Sequence, residues 1–256
     1  HDTELIPTNE EPFLVVVKHV ATDTHSRMLV FDLEKSFISI EHKLNIARYT
    51  AGLIQDMNEE DFFRFFYHYL LNGTHTTDAS YKGRCLFTMT DWKEYLLFLT
   101  FFLEAFAAAA FSLFDVFGHL MNDLYSLQLS DRDASFHNVV NHSRILGNSI
   151  YAFLSSYVPR QPAALSWITP LKDIRNVSTH RSITDICRFP SDDGNLFNPP
   201  KRPDFVMDRG FFQNQGGDKH LKEFVEECFD GLEEFVEDIY DRLRQEVENN
   251  GFLPLP

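Results

Sequence analysis

A run of twenty mostly apolar residues near the middle of the chain, YLLFLTFFLEAFAAAAFSLF from Tyr95 to Phe114, most constrains the fold. The run is as long as a membrane-spanning helix, but one acidic residue, Glu104, lies at its centre. A charged side chain there would cost about 2.5–3.5 kcal/mol in a bilayer. Both flanks are charged, without a one-sided basic excess. The segment therefore favours a helix buried at the centre of a bundle over a transmembrane helix.

Other segments have the spacing of amphipathic helices. Over residues 24–56, apolar side chains recur every three or four positions, and residues 218–249 repeat the pattern. Such stripes predict long helices with one buried face. Further helices are expected in four places, at 59–72, 91–128, 137–157 and 163–186, the last broken or kinked near Pro170. Because short segments connect them, the sequence predicts an all-α fold, an antiparallel helical bundle.

The chain divides by composition into three parts. Residues 1–23 are expected to form an N-terminal arm with an extended segment at 12–20, and residues 250–256 a C-terminal tail. Residues 24–249 are expected to form a single helical-bundle domain. Within it, residues 188–217 contain several Pro and Gly, which excludes a continuous helix and predicts a long loop or flap.

Charge and cysteine content limit the function. The formal net charge of −15 argues against sequence-independent binding of nucleic acid through a broad basic face. The three cysteines lack metal-ligand spacing, and we expect reduced thiols in a cytoplasmic protein. Glu-x-x-His pairs, His-Glu-x-x-His, Gly-rich phosphate loops and Cys-x-x-Cys are missing from the sequence. We therefore expect neither a metal nor a cofactor, and no membrane partner.

Polar residues form a stripe along the otherwise apolar third helix. Their spacing places them on one narrow face: Glu104, Ser112, Asp115, His119, Asn122 and Ser126. Buried polar groups need hydrogen bonds and buried charges need partners. A cationic Arg175 or a protonated His180 on a neighbouring helix would suit Asp115 and Glu104. The alternative is that the stripe faces solvent or forms structural hydrogen bonds between helices.

The segment IRNVSTHRS, residues 174–182, contains Arg175 and Asn176, followed after three residues by His180. This pattern resembles the motif of the HEPN superfamily (higher eukaryotes and prokaryotes nucleotide-binding domains), in which arginine precedes histidine by four to six intervening residues on a late helix. The resemblance implies a HEPN-like all-α bundle and, in many members, metal-independent RNA cleavage by two motifs that meet across a homodimer interface. Other members are catalytically silent.

The chemistry of RNA cleavage fits these residue types. Attack by the 2′-hydroxyl needs a base, departure of the 5′-oxygen needs an acid, and the transition state needs positive charge. His180 can act as acid or base, Arg175 can contact phosphate oxygens bidentately, and Asn176 can orient either group. Together with Asp115, these residues form the predicted catalytic site, which would bind RNA or a nucleotide.

A homodimer is also expected, since one histidine cannot easily be both acid and base. The polar stripe would line the groove between protomers, in an interface of about 1,200 Å² or more. The alternative function is a catalytically silent helical-bundle module that binds a protein partner or a nucleotide.

Overall fold

The computed structural model describes residues 24–57, 81–82, 88–89, 92–180, 206–207 and 219–250. These residues form seven helices and four two-residue strands: α1 (Thr24–Asp56), β1 (Tyr81–Lys82), β2 (Thr88–Met89), α2 (Trp92–Leu124), α3 (Phe136–Val140), α4 (Ser143–Leu146), α5 (Tyr151–Ser155), α6 (Ile168–His180), β3 (Val206–Met207), β4 (Lys219–His220) and α7 (Leu221–Asn250). The strands form two short antiparallel pairs, β1 with β2 and β3 with β4. The described part of the chain is therefore mostly helical, which confirms the all-α prediction.

Helix α1 lies antiparallel to both other long helices. Its start is beside the end of α2, where the Asp32 carboxylate acts electrostatically on Asp123. Its end contacts the start of α7, since the Lys222 ammonium donates to the carbonyl oxygen of Gln55 at 2.8 Å. Midway, Arg48 donates to the Glu233 carboxylate at 2.9 Å. Helix α1 therefore has antiparallel neighbours on both sides, as expected for a helical bundle.

The core is aromatic and is centred on Phe235 of α7. The ring centroid of Phe235 lies 4.9 Å from that of Phe114 and 5.0 Å from that of Phe117, both on α2. Tyr157 and Phe136 approach the same ring, at 4.6 and 5.8 Å. Aromatic rings at these separations add stabilisation beyond the burial of their area. One side of α2 is consequently fixed by α7 and by the segment that follows α2, which contains Phe136 and Tyr157.

Helix α2 is long and apolar enough, by length and composition, to cross a membrane. However, 56% of its most apolar window is buried inside the protein. Its buried residues, such as Phe106 and Phe117, belong to the same hydrophobic core as Leu33 of α1 and Leu232 of α7. This burial supports the interpretation of α2 as the central helix of a bundle.

The prediction of one helix over 137–157 is wrong, because three short helices, α3 to α5, occupy this region. Local hydrogen bonds replace a continuous helical ladder. The ring nitrogen of His142 accepts from the N–H of Arg144 at 3.3 Å, and the side-chain oxygen of Asn148 accepts from the N–H of Ile150 at 3.0 Å. Side chains that bond to nearby backbone compete with helix formation, so the chain turns twice here.

Other boundaries differ by a few residues. Helix α2 ends at Leu124 rather than near 128, because Ser126 and Gln128 adopt positive φ values of 48° and 61°. Helix α6 begins at Ile168 rather than 163, with Pro170 in its first turn, where a missing N–H costs little. The break or kink expected near Pro170 is therefore explained by the start of α6, since Pro170 lies in its first turn.

Several predictions lie wholly or largely outside the described residues. These are the N-terminal arm with its segment at 12–20, the helix at 59–72, residues 181–186, most of the loop at 188–217 and the C-terminal tail. Within the loop, Val206 pairs with His220 and Met207 with Lys219.

Candidate active site between α2 and α6

The candidate site lies where the solvent-facing side of α2 meets α6. Helix α6 packs against α2 through side chains that are fully buried, among them Leu171 and Ile174. The N-terminal part of α6 is anchored by Arg160, whose N–H donates to the Thr169 hydroxyl at 3.0 Å and whose guanidinium donates to Asp173 at 3.0 Å. This packing places the next residue, Arg175, at the edge of the core, where it is half-buried.

Asp115 is the acidic member of this site and is half-buried on α2. Its carboxylate accepts a hydrogen bond from the backbone N–H of Phe136, the first residue of α3. Burial raises the pKa of Asp115 above its ordinary value, and the strongest opposing effect is the positive charge of Arg175, followed by that of His119. Lys172 of α6 lowers the pKa of Asp115 further. Two cations of α6 and one imidazole of α2 therefore surround one carboxylate.

Gly118 makes the hydrogen bond to Asp115 geometrically possible. A Cβ atom at residue 118 would lie 2.6 Å from the carbonyl oxygen of Ala134 and 2.7 Å from the nitrogen of Phe136. Only a glycine therefore lets the 134–136 backbone approach α2 this closely. Gly118 therefore has a contact role in the structure.

The polar stripe of α2 serves two purposes. Asn122 is structural: its side-chain oxygen accepts from the N–H of Leu129 at 3.0 Å, and its amide donates to the Leu129 carbonyl at 3.3 Å, which closes the turn after α2. The Ser112 hydroxyl donates to the Ala108 carbonyl at 2.8 Å within the helix. Glu104, Asp115 and His119 are half-buried on the same face. Among these residues, Asp115 has a cationic neighbour in Arg175, whereas Asn122 and Ser112 form local hydrogen bonds.

The remaining predicted site residues lie farther along α6. Asn176 is half-buried and follows Lys172 by one helical turn, so the two share a face. The backbone of His180 ends α6, but its side chain is outside the described residues. The structure thus brings Arg175 and Asp115 into electrostatic contact, and it leaves the assignment of all four residues to one catalytic site as a prediction.

Three half-buried polar side chains at this site have unused hydrogen-bonding capacity. Within the described ranges, the imidazole of His119, the ammonium of Lys172 and the amide of Asn176 form no hydrogen bond with the protein. Neither His119 nor Lys172 was assigned to the site from the sequence. The signal for His119 was its position four residues after Asp115, and that for Lys172 its position three residues before Arg175.

A metal is not favoured by the arrangement. Across residues 24–57, 92–180 and 219–250, no three His, Cys, Asp or Glu side chains cluster as metal ligands would. The charged groups around Asp115 are instead arginine, lysine and histidine, which suit an anion.

A second concave surface, which we call the acidic recess, lies between α7 and residues 165–167. Its volume is about 510 Å³, and Trp167 closes one side against Gly231, whose absent side chain leaves room for the indole. The Ser166 hydroxyl donates to Glu227 at 2.7 Å. The recess is lined by five carboxylates: Glu223, Glu226, Glu227, Asp230 and Glu234. So much negative charge excludes a phosphate ligand there.

Comparison with protein-family models gives a match. The family model described as HEPN_Cthe2314-like HEPN matches residues 25–244, which is most of the 256-residue chain. No curated protein and no solved structure matches. The matched range begins within α1 and ends within α7, so it includes the complete candidate site.

Proposed function

Since the chain belongs to the HEPN family, we propose that it is a metal-independent endoribonuclease whose active site lies between α2 and α6. The observation on which this rests is the position of Arg175: the motif arginine lies at the junction of the two helices, with Lys172 beside it and Asp115 opposite. A pair of half-buried cations in an otherwise acidic protein provides a local binding site for a phosphodiester.

Each proposed site residue has a role that its chemistry supports. The guanidinium of Arg175 binds the non-bridging phosphate oxygens and stabilises the charge that develops in the transition state. His180 transfers the proton of the attacking 2′-hydroxyl. Asn176 orients the phosphate or the imidazole through its amide. Asp115 holds the Arg175 side chain at the proposed site by electrostatic attraction, and the hydrogen bond from the Phe136 N–H holds Asp115 in turn.

We further propose that the protein is a homodimer formed through the exposed face of α2. Leu97 and Phe101 are 59% and 60% exposed, and Ala108 is exposed on the same face. Asp115 follows on this face one to two turns later, because all four residues recur at helical spacing. Two copies packed through this apolar half would place both candidate sites on the helix face that forms the interface.

The proposed function is tested with a fluorescently labelled single-stranded RNA and purified protein in excess EDTA. We expect cleavage that yields a 2′,3′-cyclic phosphate, and no cleavage of the matched 2′-deoxy oligonucleotide, which lacks the nucleophile. His180→Ala should lower the rate by about 10²–10⁴-fold. His42→Ala, which removes an exposed histidine of α1, is the matched control and should cleave at the wild-type rate. Equal activity of the two variants, or complete inhibition by EDTA, would refute the proposal.

The dimer is tested separately by light scattering at micromolar concentration. We expect twice the monomer mass for the wild type and the monomer mass for Phe101→Glu, which places a charge in the apolar half of the α2 face. A monomeric wild-type protein would contradict the proposed interface.

The alternative is a catalytically silent bundle that binds a protein partner or a nucleotide. The exposed Leu97 and Phe101 side chains favour this alternative, because such a patch also suits a different protein as partner. Absence of RNA cleavage, together with a monomeric wild-type protein, would support it.

A further inference from the structure

RNA cleavage through the 2′-hydroxyl needs two proton transfers, and the motif on α6 supplies one histidine. One group must accept the proton of the 2′-hydroxyl, and a second must protonate the departing 5′-oxygen. Unless one imidazole does both, a second proton-transfer group is required near Arg175. A partner protomer is one source, and the described part of this protomer contains another.

His119 is half-buried on α2, one helical turn after Asp115 and on the same face. Helix α6 packs against α2, and both Arg175 and His119 act electrostatically on the Asp115 carboxylate. His119 on α2 and Arg175 on α6 therefore both lie within electrostatic reach of the same carboxylate.

The hydrogen bonds of the described residues do not use this imidazole. His119 acts electrostatically on two carboxylates of α2, Asp115 and Asp123. Yet its ring forms no hydrogen bond with the protein among the described residues. Structural histidines at partly buried positions normally use their ring nitrogens, as His142 does towards the Arg144 N–H. The nitrogens of His119 remain available to a bound ligand.

We propose that His119 is a second catalytic residue of this site, acting as the general acid from within the same protomer. This inference rests on the proposed ribonuclease function. The 2′-oxygen attacks phosphorus and gives its proton to His180, while the bond between phosphorus and the 5′-oxygen breaks. The imidazolium of His119 donates its proton to that oxygen. The products are a 2′,3′-cyclic phosphate and a 5′-hydroxyl, and solvent returns each histidine to its starting protonation state.

The role of an acid is tested by changing the leaving group. We compare His119→Gln with the matched control His42→Gln on two substrates, the dinucleoside phosphate UpA and uridine 3′-(4-nitrophenyl phosphate). A nucleoside 5′-oxygen needs protonation to depart, whereas 4-nitrophenolate does not. We expect His119→Gln to lower kcat on UpA by about 100-fold or more but to lower it less than about fivefold on the nitrophenyl ester. His180→Ala should lose activity on both substrates, because both need the base.

The outcomes distinguish this inference from the function on which it rests. If the wild type cleaves RNA and His119→Gln equals His42→Gln, His119 is not catalytic, and the ribonuclease proposal stands. If His119→Gln loses activity equally on both substrates, the general-acid role is wrong. If the wild type cleaves neither substrate, both proposals fail.

A binding measurement on the wild type avoids any effect of the variant on folding. Uridine 3′-monophosphate should shift the imidazole C–H resonance of His119 in a saturable NMR titration and leave that of His42 unchanged. Shifts of other resonances at the site show when binding is saturated. If the His119 resonance is unaffected at that point, the inference is overturned.

Discussion

Substitution of Gly118 by alanine tests whether the close approach of α2 and the 134–136 backbone affects stability more than ordinary helix propensity does. The added Cβ atom would meet three backbone atoms: the Ala134 oxygen at 2.6 Å, the Phe136 nitrogen at 2.7 Å and the Ser135 carbonyl carbon at 2.9 Å. Ordinary contacts begin at 3.4 Å, so the Ala134 oxygen has to retreat by about 0.8 Å. Backbone cannot rotate away as a side chain does, so the strain must be taken up by the loop or by α2.

The magnitude follows from two opposing effects. Overpacking costs about 1–3 kcal/mol, and replacement of a glycine in a helix by alanine stabilises by about 1 kcal/mol. We take the upper part of the overpacking range because all three atoms are backbone, so Gly118→Ala should lower the free energy of unfolding by about 1–2 kcal/mol. For a protein of this size, that lowers Tm by about 2–8 °C.

Gly52→Ala is the matched control, because nothing lies within 4 Å of a Cβ atom at that position of α1. It should raise Tm by about 2–4 °C from helix propensity alone. Both variants are measured by thermal unfolding followed by circular dichroism, with urea titration for the free energies. If Gly118→Ala is as stable as Gly52→Ala, the backbone contact at Gly118 is not a constraint, and the reasoning that connects it to the Phe136 N–H and Asp115 is wrong.

Two further predictions concern charge. Burial and then the neighbouring Asp32 carboxylate raise the pKa of Asp123 above its ordinary value of 3.8, so ionisation of Asp123 lowers the stability of the folded protein as pH rises through and above 3.8. In urea titrations, Asp123→Asn should therefore be more stable than the wild type at pH 7, and the difference should vanish below about pH 3.8. A difference that does not change with pH would contradict this assignment. The side chains of Arg48 and Glu233 are each about a third exposed and form an ion pair at 2.9 Å. A double-mutant cycle with alanine should therefore give a coupling free energy of unfolding of about 0.5–1 kcal/mol, which should fall in 1 M salt. A coupling near zero would show that the pair contributes nothing to stability.

The long helices were predictable because burial of one face leaves a regular trace in sequence. The stripe from Leu33 to Ile54 predicted α1 with the bounds that the structure gives, and the last helix differed by a few residues at its start. The segment 137–157 was not predictable in this way, because its apolar content is compatible with a helix. Its turns depend on the specific hydrogen bonds of His142 and Asn148.

The site was partly predictable for a similar reason. A carboxylate on so apolar a helix required a partner, and Arg175 does act on Asp115. The Phe136 N–H could not be foreseen, since it reaches Asp115 through a tertiary contact that depends on Gly118. His119 was visible in the stripe, but its common electrostatic partner with Arg175, the Asp115 carboxylate, depends on the packing of α6 against α2.

The acidic recess has a kinetic consequence for any polyanion that approaches the protein. It belongs to a helix, α7, that contains eleven Asp and Glu against three Lys and Arg. If the protein binds RNA as proposed, this helix would repel the polyanion, whereas Lys172 and Arg175 would attract it. The association rate would then depend on ionic strength in two opposing ways. Added salt weakens the attraction by Lys172 and Arg175, but it also screens the repulsion from α7. The association rate should therefore pass through a maximum as the salt concentration is raised.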